Sequence, residues 1–132
     1  MNPVLLIAES DETLIDVFRL YCSRCGYDVE TAAGGLECLR KLRRSSFQLL
    51  ILDADLPWGG GDGVLAVMRE DSRLARIPVI LISTTLRSDL VGPPVVQALK
   101  KPFYLDALLE RVRSALPKEA DPRGPMPSPP GP

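Results

Sequence analysis

The 132-residue sequence has no histidine and only three cysteines. An odd number of cysteines gives no sign of a disulfide framework, which points to a reducing cytoplasm. Cys22 and Cys25 form a CxxC, but zinc would need about two further ligands, and the distant Cys38 alone is left to supply one. The pair also falls at the far end of a predicted helix, where the helix dipole opposes thiolate formation. Packing is the expected role of both. No sign of charge dominates: sixteen basic and seventeen acidic residues give a formal net charge of −1. A nucleic-acid reader gathers a basic excess on one face, so no nucleic acid is expected as a partner. Long apolar runs are missing too. The opening MNPVLLIAES holds a short one, far too short to span a bilayer, with no basic segment before it and no cleavage-like site after it. Neither a membrane partner nor an export signal is expected.

What is present is ordinary for a globular chain, with 45% hydrophobic and 25% charged residues and length for one domain. Val4 to Ala8 is a short, fully apolar run, as in a strand buried on both faces. Leu14, Val17, Phe18, Tyr21, Cys22 and Cys25 then recur at helical spacing, and Gly26 follows as a stop. Tyr27 to Ala32 reads as a second strand. Leu36, Leu39 and Leu42 mark a second helix, closed by the basic run Arg40 to Arg44, which suits a helix C-terminus and reads as a solvated face. Leu49 to Leu52 is a third buried strand, ending at Asp53. A glycine-rich loop leads to a short helix over Val64 to Glu70. Pro78 to Ile82 is a fourth strand and Val95 to Leu99 a fifth. Leu105, Leu108, Leu109, Val112 and Leu116 give a last amphipathic helix. Strands alternating with helices imply an α/β fold with a parallel sheet covered on both sides. The domain is read as residues 1–116. From Pro117 to Pro132 the chain is mostly proline, glycine and polar residues, which bury too little apolar area to fold; a disordered, proline-rich tail is expected there.

In an open parallel sheet, functional groups collect beyond the C-terminal strand ends. Strand one ends at Glu9, Ser10 and Asp11; strand three at Asp53, with Asp55 two positions on. Strand four ends at Ser83, Thr84 and Thr85, and strand five runs into Lys100, Lys101 and Pro102. Each of these has a plain alternative, since Asp11 or Ser10 would cap the next helix and Lys-Pro is often only a turn. Jointly, carboxylates, hydroxyls and an amine on four strand ends suit a hard divalent cation and a phosphoryl group.

These residues carry a resemblance. From residue 4 to about 116 the chain resembles a receiver domain of the response-regulator type, a flavodoxin-like (βα)5 fold with a five-stranded parallel sheet. LLILDADLP, Leu49 to Pro57, is similar to the family's phosphoacceptor strand; Ser83 stands at its Ser/Thr position; Lys101-Pro102-Phe103 matches its Lys-Pro-Phe element, whose Lys-Pro bond is typically cis. The resemblance implies that Asp53 accepts phosphate from a histidine kinase or phosphotransfer protein, that Lys101 pairs with the phosphoryl oxygens, and that Ser83 hydrogen-bonds them. It implies Mg²⁺ held by Glu9, Asp53 and the backbone carbonyl of Asp55. It further implies a signalling module rather than an enzyme, acting through a downstream protein not named by the sequence. With no room for an output domain in these residues, a single-domain regulator is expected.

Four features depart from the family. The strand-one acidic pair appears as Glu9-Ser10, and a neutral hydroxyl binds Mg²⁺ less well than a carboxylate; Asp11, one residue on, is the possible substitute. The loop Trp58 to Gly63 is longer than usual. Gly92-Pro93-Pro94 implies a fourth helix that is short or replaced by loop. Ala98 stands where the family often has a switching aromatic. The alternative is therefore a pseudo-receiver, an interaction module that works without phosphorylation. A third possibility, from Asp53-Ala54-Asp55, is a DxD phosphatase of the haloacid-dehalogenase type, which usually opens with this strand and needs a longer chain.

Overall fold

The structure, a computed structural model, describes residues 2–116, so the expected tail at 117–132 lies outside the described residues. Five strands, β1 (Val4–Ala8), β2 (Asp28–Ala32), β3 (Leu49–Asp53), β4 (Val79–Ser83) and β5 (Val95–Lys100), form one parallel sheet in the order β2-β1-β3-β4-β5. Four helices connect and follow them: α1 (Glu12–Arg24), α2 (Gly35–Arg44), α3 (Gly60–Glu70) and α4 (Leu105–Ala115). This is the parallel α/β sheet that the strand pattern implied, in the flavodoxin-like arrangement that the resemblance implied.

The apolar runs become central strands because both faces of the sheet are covered. Successive residues point to opposite faces, and the packing divides accordingly. Leu6, Ala8, Leu50 and Leu52 join Cys38, Leu42, Val64, Leu65 and Met68 on the α2–α3 side. Leu5, Ile7, Leu49 and Ile51 meet Phe18, Cys22, Leu108 and Val112 on the α1–α4 side. β5 is an edge strand and alternates half-buried with exposed residues along its length.

Helical faces are less well read from leucine spacing. In α1 the buried residues are Ile15, Phe18 and Cys22, whereas Tyr21 is 40% exposed. In α2 they are Gly35, Cys38 and Leu42, while Leu36 is 66% exposed. Small residues, Gly35 and Cys38, fill two of the three inward positions, and Leu36 turns out to solvent. The fourth connection is, as expected, almost helix-free: a single 3₁₀ turn at Ser88–Leu90 links β4 to β5.

The main correction concerns the glycine-rich segment. The helix begins at Gly60, four positions before the expected Val64, so that the linking loop is short and Gly60 to Gly63 form the first turn. The cause is a close approach. Gly61 N–H donates to Ala54 O at 3.0 Å, and a Cβ on Gly61 would meet Ala54 Cα at 2.7 Å and Asp53 O at 2.8 Å. Only glycine lets the helix start against the end of β3.

Two neighbouring glycines therefore separate two effects. Gly61→Ala is expected to destabilise by about 1–3 kcal/mol, because rigid backbone must shift to admit the methyl. Gly63→Ala, which faces open space inside the same helix, is expected to stabilise by about 1 kcal/mol. Urea unfolding of the two variants checks both signs.

Candidate functional site

Strand order reverses between β1 and β3, and the C-terminal ends of these strands and of β4 frame one crevice. Glu9 follows β1 and is only 1% exposed; Asp53 closes β3 and Ser83 closes β4, and both are buried. Lys101 follows β5, and its backbone N–H donates to Ser83 O at 2.7 Å, continuing the ladder beyond the strands. The Lys101–Pro102 peptide is cis.

The side chains converge on one ammonium. Lys101 Nζ lies 2.7 Å from Glu9 Oε1 and 3.2 Å from Asp53 Oδ2. The second oxygen of Glu9 accepts from the backbone N–H groups of Ser10 (2.9 Å) and Asp11 (3.1 Å). The second oxygen of Asp53 accepts from Asp55 N–H at 2.9 Å. Every carboxylate oxygen in the cluster is thus satisfied, as a buried charge requires. Ser83 Oγ accepts from Thr85 N–H at 3.2 Å.

The cluster carries two carboxylates against one ammonium, an excess of one negative charge. Burial raises the Glu9 pKa above its ordinary value; the Lys101 ammonium and the Asp11 N–H pull it back, and neighbouring Asp53 pushes it up again. For Lys101, burial disfavours the charged form, but Glu9 and Asp53 together outweigh it and leave the amine above its ordinary value. A pocket with excess negative charge and hard oxygen donors is chemically suited to a divalent cation. Mg²⁺ is commonly held by one or two carboxylates while keeping several waters, and the Glu9 and Asp53 carboxylates fit that donor set.

The structure separates the remaining candidates. Asp11 caps α1, its Oδ1 accepting from Thr13 N–H at 2.9 Å and Leu14 N–H at 3.2 Å; the capping role is the one its carboxylate fills here. Among the described residues no group of three or more His, Cys, Asp or Glu converges as a metal-holding cluster, in keeping with Ser10 in the place of an acid. The Asp55 side chain is turned outward, 4.0 Å from Arg87 Nη1. Arg87, held by Asp89 through two bonds of 3.0 and 2.9 Å, was not anticipated, since nothing in the sequence sets how the irregular 84–94 segment folds back. Cys22 and Cys38 are buried, and burial first, then a neighbouring Cys25 or Glu37, pushes each thiol up to about 12. They are inert packing groups. Among the described residues no helix is long and apolar enough to cross a membrane.

The family profile for the response regulator receiver domain matches residues 5–113. The chain belongs to this family. It is 30% identical over 118 residues to the DNA-binding dual master transcriptional regulator RpaA of Synechocystis, an alignment covering 86% of this chain and 49% of RpaA. The chain spans about half the length of that curated relative. Among solved structures it is similar to the chemotaxis response regulator CheY4 of Vibrio cholerae (24% identity, TM-score 0.80, 88% of this chain and all of that one). It is also similar to the response regulator TrrA of Thermotoga maritima in complex with Mg(2+)-BeF (26% identity, TM-score 0.76, 88% and 100% covered). As a receiver domain, the chain is a signalling module of two-component systems.

Lys101→Met tests the charge cluster. It leaves two buried carboxylates facing each other without a counter-charge, and is expected to cost about 3 kcal/mol at pH 7. The sign with pH follows from the raised Glu9 pKa: an acid raised in the folded state contributes stability below its unfolded pKa, near 4, and loses it as pH rises. The gap from the unaltered protein should therefore be largest at neutral pH and narrow on acidification, as read by denaturant unfolding at several pH values.

Proposed function

We propose that this receiver domain takes a phosphoryl group onto the Asp53 carboxylate from a histidine kinase or phosphotransfer protein in the cytoplasm, and passes the signal on by protein contact. The observation that carries the reading is the placement of the Lys101 ammonium against both Glu9 and Asp53. In the transfer, the bond between phosphorus and the donor nitrogen breaks as an Asp53 oxygen–phosphorus bond forms. The charge then brought to Asp53 draws Lys101 from its two carboxylates to the phosphoryl oxygens. Ser83, buried at the end of β4 and free to turn its hydroxyl hydrogen, donates to another. Glu9, Asp53 and the Asp55 carbonyl would hold Mg²⁺, which supplies neutralisation of phosphoryl charge when bound. The TrrA complex with Mg(2+)-BeF supports this for a relative of the same fold. Asp11, engaged at the start of α1, takes no part.

One observation favours a second reading. With Ser10 in place of an acid and no third acidic side chain converging among the described residues, metal binding is weakened, and a pseudo-receiver would need none.

Incubation with acetyl phosphate and Mg²⁺, followed by intact-mass measurement, decides between them. One added phosphoryl group, lost in Asp53→Asn, is expected. Ser10→Asp should tighten Mg²⁺ binding severalfold, followed by Trp58 emission, because it restores a carboxylate. A mass that never changes in the unaltered protein, with Trp58 blind to Mg²⁺, would leave the pseudo-receiver.

A further inference from the structure

The outer face of α2 combines features that no part of the phosphoryl site uses. Leu36, Leu39, Arg40, Arg43 and Arg44 fall at i, i+3, i+4, i+7 and i+8 on one stripe and line a groove of about 440 Å³. A second hollow of about 290 Å³ adjoins it, sharing Leu36 and Arg40 and walled by Trp58 and by Glu37, whose carboxylate is paired with Lys41 at 3.5 Å. Leu36 is 66% and Trp58 76% exposed. Trp58 also sits at φ 59, a left-handed conformation unfavourable for a bulky residue.

This tryptophan is held outward by its neighbours. Gly35 N–H donates to Pro57 O at 2.9 Å, and a Cβ on Gly35 would lie 2.5 Å from Trp58 O. Gly34 is also close, with Trp58 Cδ1 at 3.0 Å and Pro57 O at 3.3 Å from its would-be Cβ. The two glycines let α2 begin against the loop that carries Trp58, so the indole is fixed at the head of the basic stripe.

The arginines are not needed to end the helix. Arg73 does that, donating to Leu42 O (2.6 Å), Arg43 O (3.0 Å) and Ser45 O (3.5 Å). Arg40 and Arg44 make no hydrogen bond or ion pair among the described residues, and Asp71 is the acidic group that feels Arg43. Exposed aromatic and aliphatic anchors beside unpaired guanidinium groups match the composition of binding hot spots.

We infer that the α2 stripe with Trp58 is a docking surface for an acidic amphipathic helix of a partner protein. Its leucine-like side chains fill the two hollows, and its carboxylates pair with Arg40, Arg43 and Arg44. Charge complementarity selects this occupant: a chain of net charge −1 concentrates unpaired arginines on this stripe. Two adjoining concave hollows suit side chains better than a flat lipid surface. The inference goes beyond Asp53 phosphorylation and stands or falls separately from it.

Trp58 is the sole tryptophan, so its emission reads the surface directly in the full chain. The probe is a tryptophan-free amphipathic peptide of Glu and Leu in helical spacing, beside the same peptide with Lys for Glu, and vesicles of phosphatidylglycerol. A saturable blue shift with the Glu peptide alone is expected. Arg40→Glu with Arg44→Glu should weaken it about tenfold or more, as should the milder Leu36→Ser, whereas Arg24→Glu on the opposite side of the sheet should not. Equal binding of the Lys peptide, unchanged affinity in both groove variants, or a preference for vesicles would overturn the inference. Phosphoryl uptake, measured on the same variants, should be unaltered.

Discussion

Everything at the C-terminal edge of this sheet is arranged around one ammonium held between two carboxylates. Lys101 comes from the end of the last strand, Glu9 from the first and Asp53 from the third. The three meet because the strand order places β1 beside β3 and carries the chain on to β4 and β5. A buried cluster of this sort does little for net stability, since desolvation offsets most of the Coulomb attraction. In the proposed function, its value lies in poise: an excess of negative charge suits a cation, and the ammonium would change partners when new negative charge arrives at Asp53.

The surrounding backbone serves the same poise. Glu9 is fixed by two consecutive N–H groups, and Asp53 by the N–H of Asp55. The close start of α3 at Gly61 and the seam between Gly35 and Pro57 hold the loop after Asp53 from both sides. On the β4–β5 side the chain is sparser: one 3₁₀ turn, an alanine at position 98, and an arginine clasped to Asp89.

Much of this could be read from residue order alone, because buried parallel strands announce themselves as short apolar runs and their ends are where chemistry sits. That rule places Glu9, Asp53, Ser83 and Lys101 at the strand ends, and the structure brings the Lys101 ammonium against Glu9 and Asp53 there. What escaped reading depended on close contact rather than on pattern. Ile15 and Cys38 are buried where Tyr21 and Leu36 stay exposed, because the face a helix turns to the sheet is set by packing rather than by its largest apolar residues. Gly60 to Gly63 looked like loop, since helix propensity disfavours glycine, yet the approach of Gly61 to Ala54 demands it. For Asp11 the residue order left both a cap and a metal ligand open, and in the structure its carboxylate accepts from the first N–H groups of α1. Arg87 left no signal because the segment around it follows no period.

The central claim is that Lys101 leaves Glu9 and Asp53 when charge is added at Asp53. The most direct measurement is the NMR signal of the Lys101 side-chain amine, recorded before and after adding Mg²⁺ with beryllofluoride, a phosphoryl mimic. The account expects a resonance slow to exchange with water in the resting protein, held by its two carboxylates, which moves to a new position on addition and stays where it was in Asp53→Asn. A Lys101 signal that ignores the mimic in the unaltered protein would contradict it.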